Sequence, residues 1–438
     1  MTAAVTPAAG PVPAPAPAPV PAPAAPSGGR PAAMRFIMVA VLIDMLAVGI
    51  IVPVLPALVG QFTASPAEQT GWYGAIAFTY AAASFVAAPL LGALSDRHGR
   101  RPVLLLGFCG VALNFFTTAL ATSLWMLLAS RIVGGAMQAN AAVANAYVAD
   151  ITPPEQRARR FGLLGAMFGI GFILGPVMGG LLGGIDLRLP FFVAGGLALL
   201  NLAYGIFVLP ESLPAERRRA VGWDAANPLS SLQQLARLKG VGLLVGVLAC
   251  VGLAQFTLYT VWVLYTTFKF HWGPTENGWS LFAVGLVSAL VQGVLLGRIL
   301  KHVTPQRLAV LALVSSTLAY AGYGLVTAGW MLYVVIVCNL LGNTVGAALQ
   351  SLVSSAASGS EQGQTLGAVS GLNSLMAVLA PVLAAPLLGA VSHLPAGDWR
   401  IGAPMYFCAA LQALALALAV VHFRRQRQCT LTPTPGRA

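Results

Sequence analysis

The chain has 438 residues, of which 58% are hydrophobic and only 8% charged, with a mean hydropathy of +0.81. A water-soluble protein of this length needs far more charge to cover its surface, so the composition excludes a soluble multidomain protein. The net charge of +12 does not point to nucleic acid, because the basic residues sit in short connections between apolar runs and make no basic face on a soluble fold.

Residues 1–33 are almost entirely Ala, Pro, Val, Gly and Ser. Such a tract cannot form a core and is expected to be an extended, disordered tail. It lacks the apolar stretch of a secretory leader, and Met34 opens an apolar run that would serve as a start of its own. Beyond it, windows of about 19 residues pick out twelve apolar segments, near 36–58, 71–94, 102–121, 124–148, 161–183, 189–209, 241–268, 279–300, 308–327, 330–356, 365–391 and 402–422. Each is long enough to cross about 30 Å of hydrocarbon as a helix, and in lipid the helix satisfies its own backbone. The fold class expected is an all-α membrane protein of twelve transmembrane helices.

In chain order, span one carries Asp44, the single carboxylate deep inside a span. A carboxylate in hydrocarbon is costly and marks function by default; it could load and release a proton, or make a structural hydrogen bond to a neighbouring helix. The connection between spans two and three reads GALSDRHGRR and gathers Gly92, Asp96, Arg97, Gly99, Arg100 and Arg101. The glycines let the chain bend. Asp96 is expected near a helix N-terminus, and the arginines can pair with it or with anionic headgroups. Residue chemistry alone allows this turn to do no more than fix topology. Span three carries Asn114. Span four carries Arg131, about 10 Å from one end, where it either snorkels outward or faces the bundle to bias a proton or bind a carbonyl. Gln138, Asn140 and Asn145 follow, then Asp150 and Arg157 in the next connection. Gly171, Gly175, Pro176, Gly179 and Gly180 strip one side of span five, allowing close helix approach.

The longest internal connection, 210–240, is basic and proline-punctuated. It divides the chain into expected six-helix bundles at 34–209 and 241–423, followed by a short basic tail at 424–438. The halves look related: EQRARRFGLLGAMFGIGFILGPVMGG enters span five and EQGQTLGAVSGLNSLMAVLAPVLAAP enters span eleven, the kind of internal repeat from which transporters are built. In the second half Gln255, Gln292, Asn339, Asn343, Gln350 and Asn373 lie within spans, each read as interhelical glue or as part of a neutral polar cavity. Phe115, Phe116, Phe256, Tyr259 and Trp262 could add aromatic surface. His271 stands at the edge of spans seven and eight.

Twenty Lys and Arg residues fall in one set of connections with both termini, three (Arg188, Lys269 and Arg400) in the opposite set, and Arg131 inside a span. Positive residues stay inside, so both termini are expected to be cytoplasmic in an inner or plasma membrane. Trp72, Trp125, Trp272, Trp279, Trp330 and Trp399 cluster at the opposite ends of even-numbered spans, the interfacial position amphipathic rings favour. The five cysteines form no CxxC pair, which argues against a zinc site or disulfide framework. No P-loop, HExxH or GxSxG motif is present, so neither ATP, a cofactor, a metal nor enzyme chemistry is expected. The expected partners are a small-molecule substrate, protons and membrane lipids, with a monomer the expected state.

GALSDRHGRRPVLL resembles the turn signature of the major facilitator superfamily, and GFILGPVMGG resembles the signature of its drug:proton antiporters. RIVGG, at Arg131–Gly135, is similar to that family's basic motif in span four. DMLAVGIIVPVLP, AYVADITPPEQRARRFG, LPFFVAGGLALLN, VLPESLP and FHW are similar to tetracycline:proton antiporters, and the likeness spans about 36–423. The resemblance implies two pseudo-symmetric six-helix bundles that rock about a midplane cavity, exporting an amphipathic compound against a proton. It also implies proton coupling at Asp44, Arg131 and His271, and a latch at the arginine turn with Asp150 and Arg157. The glycines of span five would seal the outer side. A ligand would meet Asn114, Gln138, Asn140, Gln255, Gln292 and Asn343. The family implies an aspartate within span three, where this chain has Asn114, which hydrogen-bonds but cannot titrate. The alternatives left by the sequence are a proton-independent facilitator or importer of a nutrient, and a non-transporting receptor or scaffold.

Overall fold

The computed structural model describes residues 30–138, 140–218, 242–356 and 362–431. Most of the Ala/Pro tail, most of the 210–240 connection and the last seven residues lie outside these. Among the described residues the secondary structure is entirely helical. The first half contains α1 (Arg30–Ile51), the short α2 (Leu55–Gly60), α3 (Pro66–His98), α4 (Arg100–Ala119), α5 (Leu124–Met137), α6 (Asn140–Ile151), α7 (Arg157–Ile185) and α8 (Leu189–Val208). The second half contains α9 (Gly242–Phe270), α10 (Pro274–Leu290) continuing through a π turn (Val291–Leu295) into α11 (Leu296–Ile299), then α12 (Pro305–Leu325), α13 (Gly329–Cys338), α14 (Val345–Ala356), α15 (Gln362–Gly389) and α16 (Ala403–Leu431). Helix α1 reaches Arg30, inside the stretch read as tail.

Local chemistry sets the starts. Ser65 accepts from the Glu68 N–H at 3.2 Å while Glu68 accepts from the Ala64 N–H at 2.9 Å, so α3 begins with two orphan donors satisfied. Ser123 and Thr304 cap α5 and α12, the latter followed by Pro305 in the first turn.

Ten of these helices are long and apolar enough to cross a membrane, and α13 with the helical segment after it, bent by 55°, makes an eleventh. The place of the expected fourth span is taken by α5 and α6 together. Between α5 and α6 one residue lies outside the described ones. Span ten is made of two helices rather than the continuous segment the sequence suggested. No proline or charge marks that interruption, so hydropathy reads straight through it.

Buried apolar clusters lie within one half or the other. Phe36, Leu104, Phe108, Tyr147 and Ile50, Leu58, Phe115, Phe191 pack in the first; Leu308, Leu349, Leu372 and Trp262, Tyr265, Tyr320, Met405 pack in the second. Among the described residues the halves meet chiefly along α3 with α15 and α7 with α10, with lighter contacts of α3 and α7 on α9. Large apolar side chains such as Leu113, Ile132, Leu200, Leu318 and Val337 are exposed on the outside. That exposure is what a lipid-facing surface requires and a water-facing one forbids. Trp125, Trp279, Trp330 and Trp399, also exposed, ring one end.

Candidate functional site

Asp44 lies in the middle of α1, buried to 8% exposure. It borders a cavity of about 10 Å³ lined otherwise by apolar side chains including Ile37, Leu104, Phe108 and Phe168, room for about one water molecule. Arg131 on α5 is buried to 3%. It faces the bundle rather than snorkelling out: one terminal nitrogen donates to Thr118 Oγ1 at 2.9 Å, and its guanidinium carbon sits 5.9 Å from the centre of the Tyr80 ring. Tyr80 on α3 lies within electrostatic reach of both Arg131 and Asp44. Two buried ionisable groups of opposite type thus lie in one bundle, with Arg131 over the Tyr80 ring. None of the three ion pairs among the described residues involves either of them.

Asn114 is wedged against Gly134, one turn beyond Arg131; a Cβ at Gly134 would stand 2.6 Å from its side-chain oxygen. Thr118 joins this group by donating to the Asn114 carbonyl at 2.7 Å and lying 3.0 Å from Ser130 Oγ. Asn114 Oδ1 and Arg131 Nε are both buried without a hydrogen-bond partner, an arrangement costly enough that a visiting polar group would be favoured there.

The small residues of α7 serve two faces. Gly171, Gly175 and Gly179 admit α1: a Cβ at Gly175 would be 2.6 Å from the Gly49 Cα, and one at Gly179 only 1.8 Å from the Ile50 carbonyl oxygen. Pro176 and Gly180 admit α10: a Cβ at Gly278 would be 2.5 Å from the Pro176 oxygen and one at Gly180 2.6 Å from the Pro274 oxygen. Thr275 donates to the Gly180 carbonyl at 3.1 Å. On the other side of the molecule Gly74 of α3 presses on Ala385 of α15. The contacts of α7 with α10 and of α3 with α15 join the two halves towards the Trp-bearing end. Towards the Arg-bearing end, Gly92, Gly162, Gly165 and Gly169 have nothing within 4 Å beyond their own helix. Between the two, Phe172 of α7 reaches Tyr259 of α9, ring centres 6.4 Å apart, with Phe256 beside it at 6.2 Å. Gln255 lies one helical turn before Tyr259.

The arginine turn is closely knit. Arg100 pairs with Asp96 at 2.5 Å and with Asp150 at 3.1 Å, and also donates to Ser95 Oγ at 2.6 Å. Gly99 adopts φ of +102°, a conformation that favours glycine. Asp96 is not at the N-terminus of α4, as its position suggested; it closes the last turn of α3. The carboxylate at that N-terminus belongs to Glu211, which sequence reasoning had not singled out. Arg157 donates to the Ala149 and Thr152 carbonyls at 3.3 and 3.4 Å, closing the end of α6. Arg97 lies in the last turn of α3 and is exposed.

The remaining candidates are scattered. Gln138 ends α5 and is half-buried; the Asn140 side chain lies outside the described residues. Gln292 is on the π turn, is exposed, and donates to Ser288 Oγ at 2.8 Å. Asn343 donates to the Asn339 carbonyl at 3.0 Å inside the interruption of span ten, and Ser315 donates to Asn339 Oδ1 at 3.2 Å. Both asparagines therefore serve the broken backbone itself. His271 is exposed at the Trp-bearing end, far along the chain from the Asp44 group. With φ of +56° it ends α9 in the left-handed conformation that His tolerates better than most residues.

The three basic residues expected at that end are all engaged. Arg188 donates to the Ala119 carbonyl at 2.8 Å, the last residue of α4. Lys269, taken from sequence as a connection residue, is buried to 2% within α9 and donates to the Gly324 carbonyl at 2.6 Å, in the last turn of α12. Arg400 holds Asp398 by two nitrogens, and that hydrogen-bonded guanidinium keeps the Asp398 carboxyl below the usual carboxylate range.

The sequence pattern of the Major Facilitator Superfamily matches residues 37–381. The chain is 36% identical over 375 residues to a protein described as tetracycline resistance protein, class C, from Escherichia coli, covering 85% of this chain and 94% of that one. It is 29% identical to major facilitator superfamily domain-containing protein 10 from Bos taurus, covering 87% and 91%. Among solved structures, the human organic anion transporter MFSD10 superposes with a TM-score of 0.66 at 25% identity, covering 90% of this chain and all of that one. A bacterial homolog of the human lysosomal transporter Spinster gives 0.71 at 15% identity, covering 93% and 99%.

Proposed function

Because the chain belongs to the major facilitator superfamily, we propose that this multi-pass membrane transporter is a proton-coupled exporter of an amphipathic small molecule, tetracycline-like or related. The observation that carries this reading is the burial inside one bundle of two ionisable groups, Asp44 on α1 and Arg131 on α5 over the Tyr80 ring, neither in an ion pair among the described residues. Burial among apolar side chains makes an ionised Asp44 costly, so a proton taken up there is retained until a change of access rehydrates it. In this reading a proton is taken up at Asp44 in one state and released in the other while a ligand is held near Arg131, the linkage a coupled carrier needs. The tetracycline resistance relatives support drug export, and the charge bias of the connections supports cytoplasmic termini. In that orientation the contacts of Gly180 with Pro274 and of Gly74 with Ala385 lie towards the outer side.

In this reading the wall around Phe172, Phe256 and Tyr259 would hold the apolar part of the compound, and the Asn114–Thr118–Arg131 group its polar part. Rocking of the bundles would then expose the site on each side in turn. Arg131, with no carboxylate paired to it, favours a ligand that presents a negatively charged or carbonyl oxygen. MFSD10, described as an organic anion transporter, lends weight to that form of the reading.

The test is substrate-dependent proton movement in proteoliposomes, with tetracycline as the first probe. Uphill tetracycline accumulation driven by a pH gradient is expected. Counterflow without proton movement would make the protein a facilitator, and absence of both for tetracycline and for a panel of amphipathic compounds would favour a receptor or scaffold.

A further inference from the structure

Glu211 lies three residues beyond α8, outside every span, yet its carboxylate reaches the first turn of α4. It accepts from the Arg100 N–H at 2.8 Å and the Arg101 N–H at 3.2 Å, and from its own Ser212 and Leu213 N–H groups at 3.0 Å each. The start of α4 needs this, because its own cap residue is Gly99, which offers no side chain to the orphan donors. A carboxylate is also the group a helix N-terminus favours electrostatically. Gly99 is fitted to its guest: a Cβ there would stand only 2.3 Å from Glu211 Oε2. The segment bearing Glu211 is tied down on both sides. Tyr147 Oη donates to the Pro210 carbonyl at 2.9 Å, an Arg101 guanidinium nitrogen donates to the Ile206 carbonyl at 2.7 Å, and Ser212 Oγ donates to Asp150 at 3.3 Å.

We propose that Glu211 is a positioning residue for the arginine turn. By capping α4 from the end of α8 it relieves Asp96 of that task and fixes Arg100 between Asp96 and Asp150. The face of α3 bearing Gly92 and Asp96, one helical turn apart, is thereby presented as a rigid unit to the gap between the halves. Asp96 is the open member of this network, its side chain 49% exposed against 11% for Arg100, and Gly92 faces empty space. This inference rests on the alternating-access reading, in which that gap must close.

Three variants test it: Glu211→Ala, Glu211→Gln, which keeps an acceptor oxygen, and Gly99→Ala, which displaces the carboxylate from the other side. The first readout is labelling of a cysteine introduced by Gly92→Cys, in a background with the five native cysteines replaced, by a maleimide applied from the Arg-bearing side. The second is the maximal rate and half-saturating concentration of tetracycline transport. If the rigid turn is needed in the closed state only, loss of its cap shifts the open–closed equilibrium by roughly fivefold. Glu211→Ala and Gly99→Ala are therefore expected to change labelling and maximal rate by about that factor while half-saturation stays put, with Glu211→Gln close to wild type. Unchanged labelling in Glu211→Ala would overturn the proposal. So would a loss of inserted protein in Glu211→Ala and Gly99→Ala alike, which would make the contact a folding requirement only. If the parent protein moves no tetracycline, the substrate reading fails, but the labelling arm still decides the role of Glu211.

Discussion

Gly179 of α7 lies so close to Ile50 of α1 that a Cβ would fall 1.8 Å from the Ile50 carbonyl oxygen. The obstacle is backbone on both sides, so no side-chain rotation relieves it. Gly179→Ala is expected to destabilise the protein by about 1–3 kcal/mol or more, read as a lower midpoint of thermal unfolding in detergent. Gly169→Ala, on the same helix but facing open space, should change stability by no more than about 1 kcal/mol, in the stabilising direction. Equal effects from the two would mean that α7 does not pack on α1 through this face.

Asp44→Asn mimics the protonated side chain at nearly constant volume. It is expected to abolish uphill transport driven by a pH gradient while leaving substrate exchange and protein yield intact, both measured in proteoliposomes. Continued uphill transport would move the proton to another group, with exposed His271 the next to examine. Loss of exchange as well would make Asp44 a structural or ligand-binding residue.

The Asp96–Arg100 pair is half exposed, so its electrostatic worth is small. Asp96→Asn should slow transport by a factor of about five at most without weakening substrate binding, measured by initial rates and equilibrium binding side by side. An equal loss of affinity would argue against a role confined to the turn.

Lys269 is buried, with the Gly324 carbonyl its one side-chain hydrogen-bond acceptor among the described residues, beside the rings of Tyr265 and Phe270. Lys269→Met keeps the length of the side chain and leaves that carbonyl without its donor. A loss of about 1–3 kcal/mol is expected in thermal unfolding, with half-saturation for transport unchanged. A stability equal to wild type would show that water or another group caps α12 equally well.

Asp398 gives a pH-dependent contribution of known sign. Its folded value is depressed by the Arg400 hydrogen bonds, so the stabilisation is present above the ordinary carboxylate range and disappears as pH falls through the depressed value. The gap in thermal midpoint between wild type and Asp398→Asn should therefore be small but measurable at neutral pH and should close on acidification. A gap that widens in acid would contradict the assignment.

Span positions, the charge-biased ends, the tryptophan ring and the bare face of α7 were legible because each is written in local composition: run length, charge and residue size. The interruption between Cys338 and Val345 was not, since an apolar run carries no mark of where its backbone leaves the helix. Glu211 was invisible for another reason. Its partners are 110 and 111 residues away in sequence, and only packing brings them together. Lys269 looked like an interfacial residue because a lysine near a span end usually reaches water; here a helix terminus supplied an acceptor closer than water. His271 stood out by its type, whereas the structure gives it a backbone duty that no side-chain pattern announces.

The engagement of the three basic residues at the Trp-bearing end also bears on how the chain is put together. In the proposed orientation each of these cations must be carried across the membrane during synthesis. Arg188 crosses after its acceptor, the Ala119 carbonyl, is already in place, 69 residues earlier. Lys269 crosses before its acceptor exists, since Gly324 follows 55 residues later. Arg400 crosses with Asp398, two residues away. Of these three cations Lys269, in the seventh span, is thus the one that enters without its acceptor, and it stays so until the ninth span has been made. The second half is therefore bound to a later moment of assembly than the first, and a truncated chain ending before Gly324 is the form in which the seventh span is least secure.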